Sequence, residues 1–309
     1  MIDYIKSTIL APPEFLISNP NLLFAETINI KTGEIIPDKS GYRVRWAKFG
    51  EMIIAIKTNL TTDKTNIELT GSIHKHFTNG YNNTDYSFTQ VCKSINDICH
   101  FLNLTPDKFI LHNVEFGVNI NTIHLPMDII DSIIAHRVKI FELKKYNGMG
   151  HLKRFALSQY EIKIYDKSRK PYLPYNLLRY EIKVKTMQFL RNKGCNIHSL
   201  QDLLNPELYP RLQMLLSMSL SDLFMFDYRI NLQKVKKPHH RLVLTEGINT
   251  EFWNKFRKEH TPKGFAKRKD RFKNLVNLYA PDDLSLYLKT EIKNKWSYLQ
   301  NSTNFLAVV

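Results

Sequence analysis

Ile162-Lys163-Ile164-Tyr165-Asp166-Lys167 and, after a loop, Leu178-Arg179-Tyr180-Glu181-Ile182-Lys183 are the stretches whose reading decides the fold. Alternate residues of a strand face opposite sides of a sheet. In the first stretch Ile162 and Ile164 face one way, and Lys163, Tyr165 and Lys167 the other. In the second, Tyr180, Ile182 and Val184 oppose Arg179, Glu181, Lys183 and Lys185. Two earlier segments divide in the same manner. Val114, Phe116, Val118 and Ile120 oppose Glu115, Gly117 and Asn119. Within residues 67–77, Ile67, Leu69, Gly71, Ile73, Lys75 and Phe77 oppose Glu68, Thr70, Ser72, His74 and His76. If these four strands share a sheet, one face packs on helices. The other gathers two histidines, carboxylates, a tyrosine and several lysines. Polar-out alternation by itself is what any half-exposed antiparallel sheet shows. Chemically matched polar residues, and the His74-Lys75-His76 triplet, ask for a further reason.

Working outward, further strands are expected at 42–49 and 52–58, divided by Gly50, and helices at 87–102, capped by Ser87, and 128–143. A loop with Pro171 and Pro174 separates the two deciding strands. Residues 1–40 carry Pro12, Pro13, Pro20 and Pro37 and read as an irregular lead-in. After Lys185 strand signals become sparse and helical ones take over, with a soft boundary near 190–195. No internal repeat or low-complexity tract is evident. The expected fold class is α+β: an antiparallel, sheet-dominated domain over 41–190 with helices on one face, then a mainly helical region over 191–309.

The chain of 309 residues, 43% hydrophobic and 12% aromatic, has material for real cores. No apolar run is long enough to span a bilayer, and the first residues lack the pattern of a secretory signal, so a cytoplasmic protein is expected. The formal net charge of +15 favours polyanionic partners, nucleic acid first among them, although an anionic membrane surface would answer equally. Cys92, Cys99 and Cys195 are too few for a cysteine zinc site and read as buried small hydrophobes.

The polar residues suggest a chemistry. His74 and His76, two apart on a strand, would present two nitrogen ligands to one divalent ion, with Glu115 or Glu181 adding oxygen. A metal beside a phosphodiester offsets the charge that builds in the transition state. Tyr165 could then attack phosphorus, and Lys163 and Lys167 on its own face should favour the phenolate. Lys167 could instead protonate the leaving 3′-oxygen, or simply hold phosphate.

The 162–167 and 178–183 segments resemble the signature of plasmid rolling-circle replication initiators of the Rep-trans group. A similar Lys-x-Tyr-Asp-Lys … Leu-Arg-x-Glu arrangement occurs in gene II-like replication proteins of single-stranded DNA phages. The resemblance covers about residues 65–190. It implies that Tyr165 nicks DNA and becomes covalently joined to it. It also implies that Glu115 and Glu181 are the acidic residues of a metal site, and that Arg179 is the arginine of the later strand. His74-Lys75-His76 resembles the His-hydrophobic-His motif of the wider HUH endonucleases, with Lys75 standing where a hydrophobic residue belongs. The resemblance further implies Mg²⁺ or Mn²⁺, single-stranded or hairpin origin DNA, a bacterial host's helicase and replication machinery, and a homodimer. Tyr160 and Tyr180 are the next candidates for the nucleophile.

Asn119 and Lys183, with Arg179, are candidate DNA contacts on the sheet. Residues 254–273 hold nine basic residues against two acidic, with Phe256, Phe265 and Phe272 interleaved and Trp253 just before them. There Lys267, Arg268, Lys269 and Arg271 are expected to meet phosphate, while the rings pack inward. The expected function is initiation of rolling-circle replication by tyrosine-dependent nicking. A relaxase or transposase-like strand transferase and a non-enzymatic DNA-binding regulator remain as alternatives.

Overall fold

The strand expected around Glu115 is the spine of the molecule. It runs thirteen residues, Phe109–Asn121, because Val114, Phe116, Val118 and Ile120 supply an unbroken apolar face. The computed structural model describes residues 1–136, 139–140, 142–145, 151–168 and 173–302. Its strands are β1 (Ile2–Ile9), β2 (Ala25–Glu26), β3 (Tyr42–Phe49), β4 (Met52–Asn59), β5 (Thr65–Ser72), β6 (Phe109–Asn121), β7 (Ile133–His136), β8 (Lys139–Ile140), β9 (Glu142–Lys145), β10 (His151–Ala156), β11 (Tyr160–Asp166), β12 (Leu177–Val184) and β13 (Leu223–Met225). The helices are α1 (Pro13–Ile17), α2 (Ile73–Phe77), α3 (Phe88–Leu102), α4 (Pro126–Ser132), α5 (Gln188–Arg191), α6 (Leu208–Ser221), α7 (Pro238–Ile248), α8 (Thr250–Glu259), α9 (Pro262–Tyr279) and α10 (Leu284–Asn301).

Ten strands form one antiparallel sheet in the order β2-β3-β4-β5-β1-β6-β12-β11-β10-β9. Its apolar face is covered by α3, α6 and α10. Tyr180 on β12 hydrogen-bonds Ser219 of α6 at 2.8 Å, and Phe116 on β6 meets Trp296 of α10 edge to face. The fold is therefore α+β, with helices on one face of the large sheet. A second core gathers Ile134 and Ala135 of β7, Phe224 of β13, and Leu244, Trp253, Phe265 and Phe272 of α7–α9. Its tightest point is Gly247, where a Cβ would come within 1.9 Å of the Phe272 ring. The expected boundary near 190 does not separate these cores, since α6 and α10 belong to the first. Cys99 and Cys195 are buried and Cys92 is half-buried.

Three sequence expectations need correction. The lead-in over 1–40 opens with β1, a central strand hydrogen-bonded on both sides; its prolines all follow the strand. The strand expected over 67–77 stops at Ser72, whose hydroxyl accepts from the Lys75 amide and caps the short helix α2. The helix expected over 128–143 is only α4. At Ile133-Ile134 two β-branched residues turn the chain into β7, buried throughout and paired with β13. Of the loop before β12, Pro171 lies outside the described residues.

Candidate active site on the open face of the sheet

Strand register brings the site together. Directly opposed residues of antiparallel strands share a face. Lys163 on β11 lies opposite Glu181 on β12, which lies opposite Gly117 on β6. Tyr165, Arg179 and Asn119 form the next row. Gly117 is required here: a Cβ would fall 2.3 Å from the Tyr180 carbonyl oxygen and 2.6 Å from the Glu181 Cβ. On β1, Ile2 pairs with Phe116 and Ile5 with Val114, so three steps oppose two. This bulge turns both Asp3 and Tyr4 onto the open face across from Glu115.

Oxygens of Asp3, Glu115 and Glu181 lie within 4.8 Å of one another, and all three residues are buried. Two cations bind this triad together. Lys163 Nζ donates to Glu115 Oε2 and Glu181 Oε1, each at 2.8 Å. Arg179, 2% exposed, reaches Asp3 Oδ2 at 2.7 Å, Glu181 Oε2 at 2.5 Å and Asn119 Oδ1 at 3.0 Å. Ser72 and Asn82 donate to the Asp3 carboxylate, and the Asn119 amide donates to the carbonyls of Asn82 and Thr84. The buried polar groups thus complete one another.

The electrostatics follow. Burial, then the Glu181 charge, pushes Glu115 up to about 8. Burial would also raise Glu181, but Lys163 and Arg179 outweigh it and hold that carboxyl well below its usual range. Tyr165 donates toward Glu181 Oε2 at 3.5 Å, and burial together with the Glu181 charge drives its phenol well above its usual value. The expectation that Lys163 and Lys167 favour the phenolate is therefore overturned in this arrangement, because Lys163 is spent on carboxylates. Lys167 lies 5.7 Å from the Tyr165 ring centroid, donates to Asn82 Oδ1 at 2.6 Å, and is lowered to about 7 by burial and then by Arg179.

The histidine pair is also corrected. On α2, residues two apart point about 200° around the axis, so His74 and His76 diverge. His74 is buried, stacks on Tyr86 at 4.5 Å and is lowered to about 2 by its burial. His76 packs against Phe49. Asp3 takes the place in the acidic cluster expected of them. The signal for Asp3 was the apolar spacing Ile2, Ile5, Ile9 around it, blurred by the bulge.

Arg179 and Asn119, expected to touch DNA, both hydrogen-bond inside the site. Lys183 does reach the rim, with Nζ 5.1 Å from the Tyr4 ring centroid. With Tyr4, Lys163, Tyr165, Leu152, Arg154 and Glu161 it walls a cleft of about 340 Å³ over the triad. Tyr180 faces the helices, and Tyr160 stacks on Phe189 at 4.2 Å, so Tyr165 and Tyr4 are the tyrosines that line the cleft. Outside its lining, Lys267 and Arg271 are exposed on α9, Lys269 is half-buried, and Arg268 pairs with Glu246 and covers Phe252. Trp253, Phe265 and Phe272 are buried beneath them.

Three carboxylates and no imidazole make a hard, all-oxygen donor set, the kind that Mg²⁺ or Mn²⁺ takes. The residues fit such an ion, with Lys163 as the cation now standing between two of the donors.

The sequence matches no protein family and no curated protein. Its structure is similar to that of a rolling circle replication initiator protein from Geobacillus stearothermophilus. That likeness has a TM-score of 0.37 and 10% identity, over 87% of this chain and 96% of that one. Among the described residues no helix is long and apolar enough to cross a membrane.

Proposed function

We propose that this protein is a tyrosine-dependent nickase of single-stranded DNA that initiates rolling-circle replication. The observation that carries the reading is the convergence of Tyr165 and three carboxylates on one cleft of an otherwise open sheet face, with Lys167 beside the Tyr165 ring. Tyr165 Oη attacks phosphorus, its proton passing to a carboxylate or water beside it. The bond from phosphorus to the 3′-oxygen breaks, leaving a 5′-phosphotyrosyl link and a 3′-hydroxyl that primes synthesis. Lys167, lowered to about 7, is suited to give the leaving oxygen its proton. Asp3, Glu115 and Glu181 would hold Mg²⁺ or Mn²⁺, which supplies charge neutralisation at the phosphoryl group. Arg179 acts as a positioning residue that fixes Asp3 and Glu181.

On this reading the 41–190 segment, completed by β1, is the nicking unit, and α7–α9 form a basic anchor for origin DNA. An origin hairpin, a host helicase and a second copy of the chain are the further partners the reading calls for, in a bacterial cytoplasm. One observation favours a non-catalytic DNA-binding regulator: Lys163 and Arg179 already neutralise much of the acidic triad.

Covalent trapping separates the two. Labelled single-stranded DNA carrying the replicon's origin strand is incubated with protein and Mn²⁺, then run on a denaturing gel. A metal-dependent adduct that Tyr165→Phe abolishes is expected. An adduct that persists in the variant would move the nucleophile to Tyr4. No adduct with the origin strand would leave the regulator.

A further inference from the structure

The open face of the sheet does not end at the cleft. From Tyr4 the register runs sideways without a break. Lys6 pairs with Thr70, Thr70 with Ile53, and Ile53 with Lys48; one row further, Thr8 pairs with Glu68, Glu68 with Ala55, and Ala55 with Trp46. All these side chains stand on the face that carries Asp3 and Tyr4, since Ile5, Leu69, Ile54 and Ala47 are buried on the opposite one. No helix is needed to cover this part of the face, and its residues are half-buried or exposed.

Two of them are large and apolar on a solvent-facing surface: Trp46 is 41% exposed and Ile53 39%. Around them stand Lys6, Lys48 and Lys57, with Glu68 as the acidic residue among them, paired to Lys6 at 3.2 Å and to Lys57 at 2.7 Å. Lys183 continues the cationic line at the mouth of the cleft. A flat strip of cations with an exposed indole at its far end is the pattern that tracks a single strand, phosphates on ammonium groups and bases on ring faces. The basic charge of the strip and its continuity with the cleft argue for that occupant over a second protein.

We infer that the β1–β5–β4–β3 face is the path of the single strand leaving the cleft, with Trp46 as a base-stacking platform at its outer end. The inference rests on the nickase reading for the polarity of the site, and adds where the flanking nucleotides lie. From strand spacing and rise, Trp46 is roughly 20 Å from Tyr4, several nucleotides away.

The tryptophans provide the test. Trp253 and Trp296 are 4% and 0% exposed, so quenching of the full chain's intrinsic fluorescence by added DNA reports chiefly on Trp46. Oligothymidylates from about three to about a dozen nucleotides span the range of such sites. Quenching should be absent with the shortest and set in as length grows. Trp46→Ala should weaken binding of the longest by on the order of tenfold, and Trp46→Phe should restore it. Binding of the shortest should be unchanged in both variants.

Fluorescence indifferent to every length, unchanged affinity in Trp46→Ala, or equal quenching by duplex DNA would overturn the path. A Tyr165 adduct could still form in each of those cases, so the nickase reading would survive. Conversely, length-dependent quenching without any adduct would keep the path and remove the nickase reading.

Discussion

Lys163 sits between two carboxylates of the acidic triad, its ammonium 2.8 Å from oxygens of both Glu115 and Glu181. A buried ion pair that loses one partner leaves the other charge uncompensated, at about 3–5 kcal/mol. Lys163→Met should therefore lower the melting temperature in metal-free buffer. It also removes the site's internal competitor, so Mn²⁺ should raise the variant's melting temperature by more than it raises that of the unaltered protein. A thermal scan with and without Mn²⁺ checks this; a variant indifferent to Mn²⁺ would mean that the triad holds no ion. The sequence marked Glu115, Glu181, Tyr165 and Lys163 correctly as members of one face. It could not show that Lys163 would neutralise carboxylates rather than assist Tyr165, because both lie on the same strand parity. Only the distances across strands choose between them.

At the scale of elements, α2 is the instructive case. Residues 73–77 alternate as a strand would, yet Ser72 caps a helix there, and the helix buries His74 against Tyr86. A histidine lowered to about 2 in the fold and near 6.5 when unfolded binds more protons in the unfolded state between those values. Its stabilising contribution is complete above pH 6.5 and is lost as pH falls toward 2. Between pH 7 and pH 5 this amounts to about 2 kcal/mol. Urea unfolding at the two pH values should show that loss, and His74→Gln should show less of it. An equal loss in the variant would assign the acid sensitivity elsewhere. With α2 helical, neither histidine joins the acidic cluster, and its third member is Asp3. Asp3 lay in β1, whose alternation the bulge interrupts.

At the scale of the molecule, part of a formal charge of +15 lies on the strip beside the cleft and part on the exposed cations of the α7–α9 region. If Lys267 and Arg271 meet phosphate, replacing each with Ala should weaken DNA binding at all sequences alike. It should also reduce the slope of log K against log salt by roughly 1 per cation. Titrations at several salt concentrations measure it, and an unchanged slope would confine DNA to the sheet. The two cores explain why the sequence placed its domain boundary only loosely. Residues 224–276 build a second core with Ile134 and Ala135 of β7, while α6 before them and α10 after them belong to the large sheet's core.

The sequence by itself determined the α+β class, the two faces of β6, β11 and β12, and the polar side chains that share one of them. Those follow from period-two alternation, a local property of each strand that no distant contact alters. The tertiary structure alone decided that the first strand of the chain sits at the centre of the sheet. It decided too that a bulge there delivers Asp3 beside Glu115, and that Lys163 and Arg179 bind the acidic triad. Those features depend on register between segments far apart in the chain, and a single strand's pattern carries no record of which neighbour it will meet.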